Sequence, residues 1–137
     1  MIFSFPLIKV WGTTIRGGAV TITLPFPPSV NTLYATVNGR RVLSKRGREY
    51  KNEVGYLILS GGYTKRYSLP MAGRLMVGIQ YFAPTRRKLD LMNFNKALLD
   101  AFSGIVYEDD SQIDDIHQKR GEVIGKPGKV VVRVVEI

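Results

Sequence analysis

Charge is spread unevenly along this chain, and the inversion constrains any compact fold. Before Asp90 there are fourteen lysines and arginines against only Glu49 and Glu53, a balance of +12. Seven of the eleven carboxylates then lie between Asp90 and Asp115. The folded chain must therefore gather an acidic edge into a basic body. That combination points to a protein that holds a polyanion and does metal chemistry on it.

The inversion falls in one stretch, Arg86 to Ile113, which reads RRKLDLMNFNKALLDAFSGIVYEDDSQI. At about 100° per residue, Leu91, Phe94, Leu98, Ala101 and Phe102 share one helical face. Asn93, Lys96 and Asp100 form a stripe beside it. Asp90 sits just ahead of the first turn, as an N-cap or as an open carboxylate on the rim of Asn93 and Lys96. Met92 falls off the stripe, towards Leu99, where it packs. A short apolar strand at Ile105 to Tyr107 then leads into Glu108-Asp109-Asp110, a solvated turn or a second acidic feature of one shared site.

The remaining chain predicts an α+β domain, a mixed sheet with two principal helices. Ala19 to Phe26 alternates as a strand and stops at Pro27-Pro28, since proline cannot donate to a ladder. Asn31 follows in a polar turn, closing it or shaping the site. Asn38-Gly39 marks a hairpin across Tyr34 to Leu43, because both positions tolerate positive φ. Ser44 caps a helix running to about Leu59, with Val54, Leu57 and Ile58 on its apolar face and Gly61-Gly62 as its stop. Tyr63 to Pro70 reads as a loop. Gly73 to Ala83 is a strand in which Leu75, Val77, Ile79 and Tyr81 alternate. Ile113 to Val123 is another, and Lys129 to Ile137 is the last, after a turn at Gly125-Lys126-Pro127-Gly128.

At 137 residues the chain reads as one domain with a real core. Residues 1–18 form an N-terminal extension, strand-like or loosely ordered, ahead of a domain at 19–137. The absence of cysteine excludes disulfides and thiolate metal sites, and the single His117 excludes a two-histidine zinc site within the chain. No apolar run is long enough to span a bilayer, so no membrane partner is expected. Met1 to Leu7 is apolar but lacks a basic leader and a convincing cleavage site, which makes the cytoplasm the expected compartment. A glycine-rich phosphate loop is missing, so no nucleotide cofactor is expected. A net charge of +9 favours nucleic acid over a neutral metabolite.

Several motifs occur in a fixed order: Pro27-Pro28-Ser29-Val30-Asn31; Ser44-Lys45-Arg46-Gly47-Arg48-Glu49-Tyr50; Arg86-Arg87-Lys88 followed by Asp90, Asn93, Lys96-Ala97 and Asp100-Ala101; and Asp109-Asp110-Ser111-Gln112-Ile113. This ordered set resembles the RusA-type Holliday junction resolvases, endonucleases that cut four-way DNA junctions. The resemblance runs from about Val20 to Ile137. It departs at Met92, where the family has the second aspartate of Asp-x-Asp.

The resemblance implies a homodimer that binds branched DNA and hydrolyses phosphodiesters with Mg2+, for which Mn2+ can substitute. Asp90 and Asp110 are the expected metal ligands and catalytic residues, joined by Asp109 or Asn93. Lys96 would steady charge on the phosphate, or simply pair with Asp100 one turn on. Arg40, Arg41, Lys45, Arg46, Arg48, Lys51, Arg86, Arg87 and Lys88 are the expected DNA contacts, with Tyr34 or Tyr50 as a base or sugar partner. Asp114 and Asp115 read as solvated charge. A thioether at Met92 is too soft to replace a carboxylate on magnesium, so weak metal binding and slow cutting are expected. Two other readings stay open: a branched-DNA-binding protein without catalysis, and a different nucleic-acid enzyme or RNA-binding protein on a similar scaffold. No aromatic RNP-type cluster supports RNA.

Overall fold

The computed structural model describes residues 9–10, 13–14 and 18–137. In the extension, β1 (Lys9–Val10) and β2 (Thr13–Thr14) pair antiparallel. The expectation for Met1 to Leu7 lies outside the described residues. β3 (Ala19–Leu24) leads through the prolines into a short helix α1 (Val30–Leu33). Asn31 is therefore in a helical turn rather than a polar loop, and it is exposed.

The hairpin forms as the turn chemistry dictates. β4 (Tyr34–Val37) and β5 (Arg40–Leu43) pair antiparallel around Asn38 at φ 52° and Gly39 at φ 74°. Two successive positive φ values match the right-handed twist of the strands. α2 (Lys45–Ser60) follows, with the Ser44 hydroxyl accepting from Gly47 N at 3.0 Å and Gly61 at the C-cap. Val54 and Ile58 are buried, whereas Leu57 lies at the helix margin, 36% exposed. Tyr63–Arg66 is a one-turn helix, α3, not the expected loop. Its two tyrosines, Tyr63 and Tyr67, stack at its ends and give the segment local order.

The main sheet runs β3, β8, β6, β7, where β6 is Leu75–Phe82, β7 is Ile113–Arg120 and β8 is Lys129–Glu136. β8 is antiparallel to both β3 and β6, while β6 and β7 are parallel. A parallel pair needs a crossover, and this one carries the whole of Ala83 to Gln112. α4 (Asn95–Phe102) lies in that crossover and packs with α2 on one face of the sheet. Their core joins Tyr50, Val54, Ile58, Leu98 and Phe102 to Val20, Ile22, Val77, Ile79 and Val132. All eight residues of β6 are buried, so its expected alternation is only half of the pattern. Met76, on the other face, is as buried as Val77, because a central strand is covered on both sides.

Two details of the crossover differ from the helical reading. Leu91–Phe94 is a 3-10 turn, and the α-helix begins only at Asn95. The tighter turn shifts the helical phase, so Met92 does not reach Leu99 and stands 72% exposed. Ile105 to Tyr107 is a turn rather than a strand. The amides of Ile105 and Val106 return to Phe102 O, and Tyr107 makes only isolated bridges to Met71 and Ser103. Its apolar side chains fill the core instead of building a ladder: Val106 and Tyr107 are fully buried. Among the described residues no helix is long and apolar enough to cross a membrane.

Candidate active site and nucleic-acid interface

Two capped 3-10 turns hold the candidate carboxylates. At the first, Asp90 is the N-cap, and its Oδ1 accepts from Met92 N at 3.2 Å. Its other oxygen has no partner among the described residues. Asp90 and Asn93 line an open cleft of about 690 Å3 with Lys88, Leu89, Leu91 and Arg120. Arg120 donates to Leu89 O at 3.0 Å and closes this cleft from the far end of β7.

The second turn, Asp110–Gln112, sits just before β7. Here Asp109 is the cap and accepts from Ser111 N at 3.0 Å. Hydrogen bonds from Ser111 hold the Asp109 carboxyl below the usual carboxylate range. Gln112, only 8% exposed, ties the turn down with four bonds. Its Oε1 accepts from Glu108 N at 2.8 Å and Asp109 N at 2.9 Å, and its Nε2 donates to Met71 O at 2.8 Å and Gly73 O at 2.9 Å. Arg74 adds a clamp, donating to Ser111 O at 2.9 Å and pairing with Asp114. With Asp109 committed and the backbone fixed, the Asp110 side chain is exposed and makes no hydrogen bond or ion pair among the described residues.

Lys96 stands near this second turn. Its Nζ lies 3.2 Å from Asp100 Oδ1, and Asp100 raises its pKa, with a smaller contribution of the same sign from Asp110. The lysine is therefore cationic at neutral pH. The buried Tyr107 phenol reports the same neighbourhood, since Asp110, Asp100 and Asp109 all add to the upward push of its burial. Asp90 belongs elsewhere. It shares a cleft with Arg120, at the C-terminal end of β7, while Asp110 precedes the N-terminal end. Eight residues of strand span roughly 23 Å. Among the described residues no three acidic or histidine side chains form a metal cage.

The expected DNA contacts are exposed: Arg40 and Arg41 on the hairpin, Lys45, Arg46, Arg48 and Lys51 along the first turns of α2, and Arg86, Arg87 and Lys88 before Asp90. Arg41 lies over the half-buried Tyr34 ring, 4.1 Å from its centroid. Tyr50 is withdrawn from any contact role: it is 1% exposed, with its hydroxyl donating to Pro25 O at 2.8 Å. Asp114 and Asp115 are likewise not simply solvated, since Asp114 is held by Arg74 and Asp115 lies 3.0 Å from His117 Nε2. Sequence reasoning missed Asn95. It accepts from Tyr81 OH at 2.6 Å and donates to Gln118 at 2.5 Å, fixing the start of α4 to both parallel strands. A polar residue at the first position of an apolar helix, facing two strand polar groups, was the available signal.

The donor set suits a hard divalent cation without completing its site. Asp110 and Asp90 each offer carboxylate oxygen, and magnesium asks for only one or two carboxylates beside its waters. A family profile described as Endodeoxyribonuclease RusA matches residues 25–135. The crossover junction endodeoxyribonuclease of Enterobacteria phage HK97 is 30% identical over 115 residues, covering 83% of this chain and 92% of its own. That of Escherichia coli K12 is 31% identical over 118 residues, covering 85% and 94%. That of Enterobacteria phage 82 is 32% identical over 117 residues, covering 85% and 93%. With most of both chains aligned and both acidic turns inside the match, this chain belongs to the RusA family of endodeoxyribonucleases.

Proposed function

We propose that the chain is a homodimeric, magnesium-dependent endonuclease that resolves four-way DNA junctions. The observation that carries this reading is Asp110: an uncommitted, exposed carboxylate on a turn locked by Gln112, within electrostatic reach of the Lys96 cation. The names of the relatives, crossover junction endodeoxyribonucleases, supply the substrate class. Asp110 would hold a divalent metal, with a second carboxylate such as Asp90 reaching it only from another copy of the chain, and the metal would supply Lewis acidity and counter-charge for phosphodiester hydrolysis. Lys96 steadies the extra negative charge on the phosphate during attack by water. Arg86 to Lys88 and the α2 cations Lys45, Arg46 and Arg48 hold the flanking phosphates and place the bond in line.

The placement of Asp90 and Asp110 supports a second copy of the chain as part of the site. β7 is an edge strand with Ile116 44% exposed, and Met92 is exposed on the turn packed beside it. Such an apolar margin on an open edge favours an interface, and a partner lying there brings its own carboxylates to this site.

Exposed Met92 also supports a weakened form of the same activity. It offers no hard oxygen beside Asp90, so metal affinity and cutting are low, improve with manganese, or fall to junction binding alone. The test is cleavage of a synthetic four-way junction with and without magnesium. Metal-dependent, paired incisions near the branch are expected. Absence of junction preference over linear duplex would overturn the reading. Tight junction binding without incision would select the binding-only form.

A further inference from the structure

Between the hairpin, the start of α2 and α4 lies a cavity of about 260 Å3 that phosphate hydrolysis does not use. Its floor is apolar, built from Leu33, Leu43 and Ala97, and Tyr34, Lys51 and Asp100 stand around it. The space exists because small residues face it. At Gly47 an added Cβ would lie 2.7 Å from Leu33 O, so α2 can approach the end of α1 only with glycine there. The hairpin register pairs Tyr34 with Leu43 and Thr36 with Arg41, so Tyr34 and Arg41 are diagonal neighbours on one face. Arg41 stacks on the Tyr34 ring, and Tyr34 also borders the adjoining cleft that contains Lys96.

The polar groups identify the class of ligand. Asp100 uses Oδ1 for Lys96 and leaves its second oxygen as an acceptor. Lys51 makes no ion pair or hydrogen bond among the described residues. A bare phosphate would be repelled by Asp100 and would gain nothing from the apolar floor. A flat ring with apolar faces and an edge of mixed donors and acceptors satisfies all of these surfaces. The volume lies just under the roughly 300–1,000 Å3 of drug-sized sites, enough for one ring system.

We propose that this cavity receives one unstacked nucleobase from the DNA strand beside the scissile phosphate, with Tyr34 stacking on it and Asp100 and Lys51 reading its edge. The inference rests on the junction-cutting reading above and adds to it a source of selectivity. Regular duplex keeps its bases stacked, whereas a branch point releases one at little cost. Asp100 thereby links the cavity to Lys96, so filling one biases the geometry of the other.

The test uses the full chain and four-way junctions carrying 5-iodouracil at successive positions around the branch, irradiated in complex and mapped by peptide. A cross-link to Tyr34 from one position is expected, and it disappears in Ala97→Leu, which fills the cavity. In parallel, the base at that position is varied. Cutting is expected to differ by roughly tenfold or more between the best and worst base, and Tyr34→Leu and Ala97→Leu are expected to flatten the difference. Cross-linking elsewhere, with equal cutting of all four bases by the unaltered chain, overturns the cavity's role while junction cutting stands. Failure of the unaltered chain to prefer junctions at all overturns the functional reading, and the cavity's role with it.

Discussion

The two acidic turns are built alike and divide their work differently. Each is a 3-10 turn with an aspartate at its N-cap. At the second turn the aspartate is doubled. Asp109 caps and Asp110 stays open, while Gln112 and Arg74 hold the backbone. At the first turn Asp90 caps Met92 N and, on the proposed reading, would also serve as a ligand, and the position that could share the work is an exposed thioether. A turn that separates capping from ligation keeps its carboxylate available. A turn that combined them would make the same oxygen pair answer to folding and to metal.

The sharpest way to break this comparison is to neutralise the open carboxylate. Asp110→Asn is expected to lower single-turnover cutting by about a hundredfold or more, with junction affinity equal or higher because repulsion of phosphate is reduced. Normal cutting by this variant in magnesium would remove Asp110 from the site.

Next is the support beneath it. Gln112→Ala leaves Glu108 N, Asp109 N, Met71 O and Gly73 O without their partner. At about 1 kcal/mol for each lost bond, the expected loss of stability is roughly 2–4 kcal/mol, measurable by urea denaturation. If instead the midpoint barely moves, the turn is held by its own sequence and Arg74 suffices.

Met92→Asp sharpens the comparison from the other side, because it gives the first turn the doubled carboxylate of the second. Magnesium affinity and cutting rate are expected to rise about tenfold, read by metal titration of junction cleavage. An unchanged titration, with the native chain already fast at low magnesium, would show that another residue fills this place.

The smallest effect is in pH. Asp109 is held low by Ser111 and Asp114 by Arg74. Their contribution is complete above the unfolded value of 3.8 and is lost as pH falls through their lower folded values. The protection factors of the Ser111 and Gln112 amides, taken relative to intrinsic exchange at each pH, should therefore fall only below about pH 3.8 and stay level between pH 5 and 8. A loss of protection already near pH 6 would show that these two carboxylates do not set it.

What could be read from the sequence was whatever depends on near neighbours. The Asn38-Gly39 turn, the Ser44 cap, the glycine stop of α2 and the valine-rich β8 all follow from local periodicity and turn chemistry. Asp90 as a cap was equally legible. What escaped depends on distant partners. Tyr50 looks like a surface aromatic among cations until Pro25 O, far back in the chain, takes its hydroxyl. Gln112 looks like a polar residue after two acids until Met71 and Gly73 receive its amide. The 3-10 start of α4 is set by Asn95 reaching Tyr81 and Gln118, which one helical wheel cannot contain. For the site, the residue types were visible in the motifs, but the placing of Asp90 and Asp110 towards opposite ends of β7 was not.

The parallel pairing of β6 and β7 carries a kinetic consequence. Both acidic turns and α4 lie inside the loop that must close before β7 can dock. Closing it imposes an entropic barrier that the β4–β5 hairpin does not face, so β7 is expected to dock after that hairpin has formed. Until it does, Gln118 is not beside Asn95 and Arg120 is not beside Leu89. On the proposed reading, a chain emerging from synthesis would have its cationic hairpin and α2 ready before both acidic turns are in place, and would hold DNA before it could cleave it.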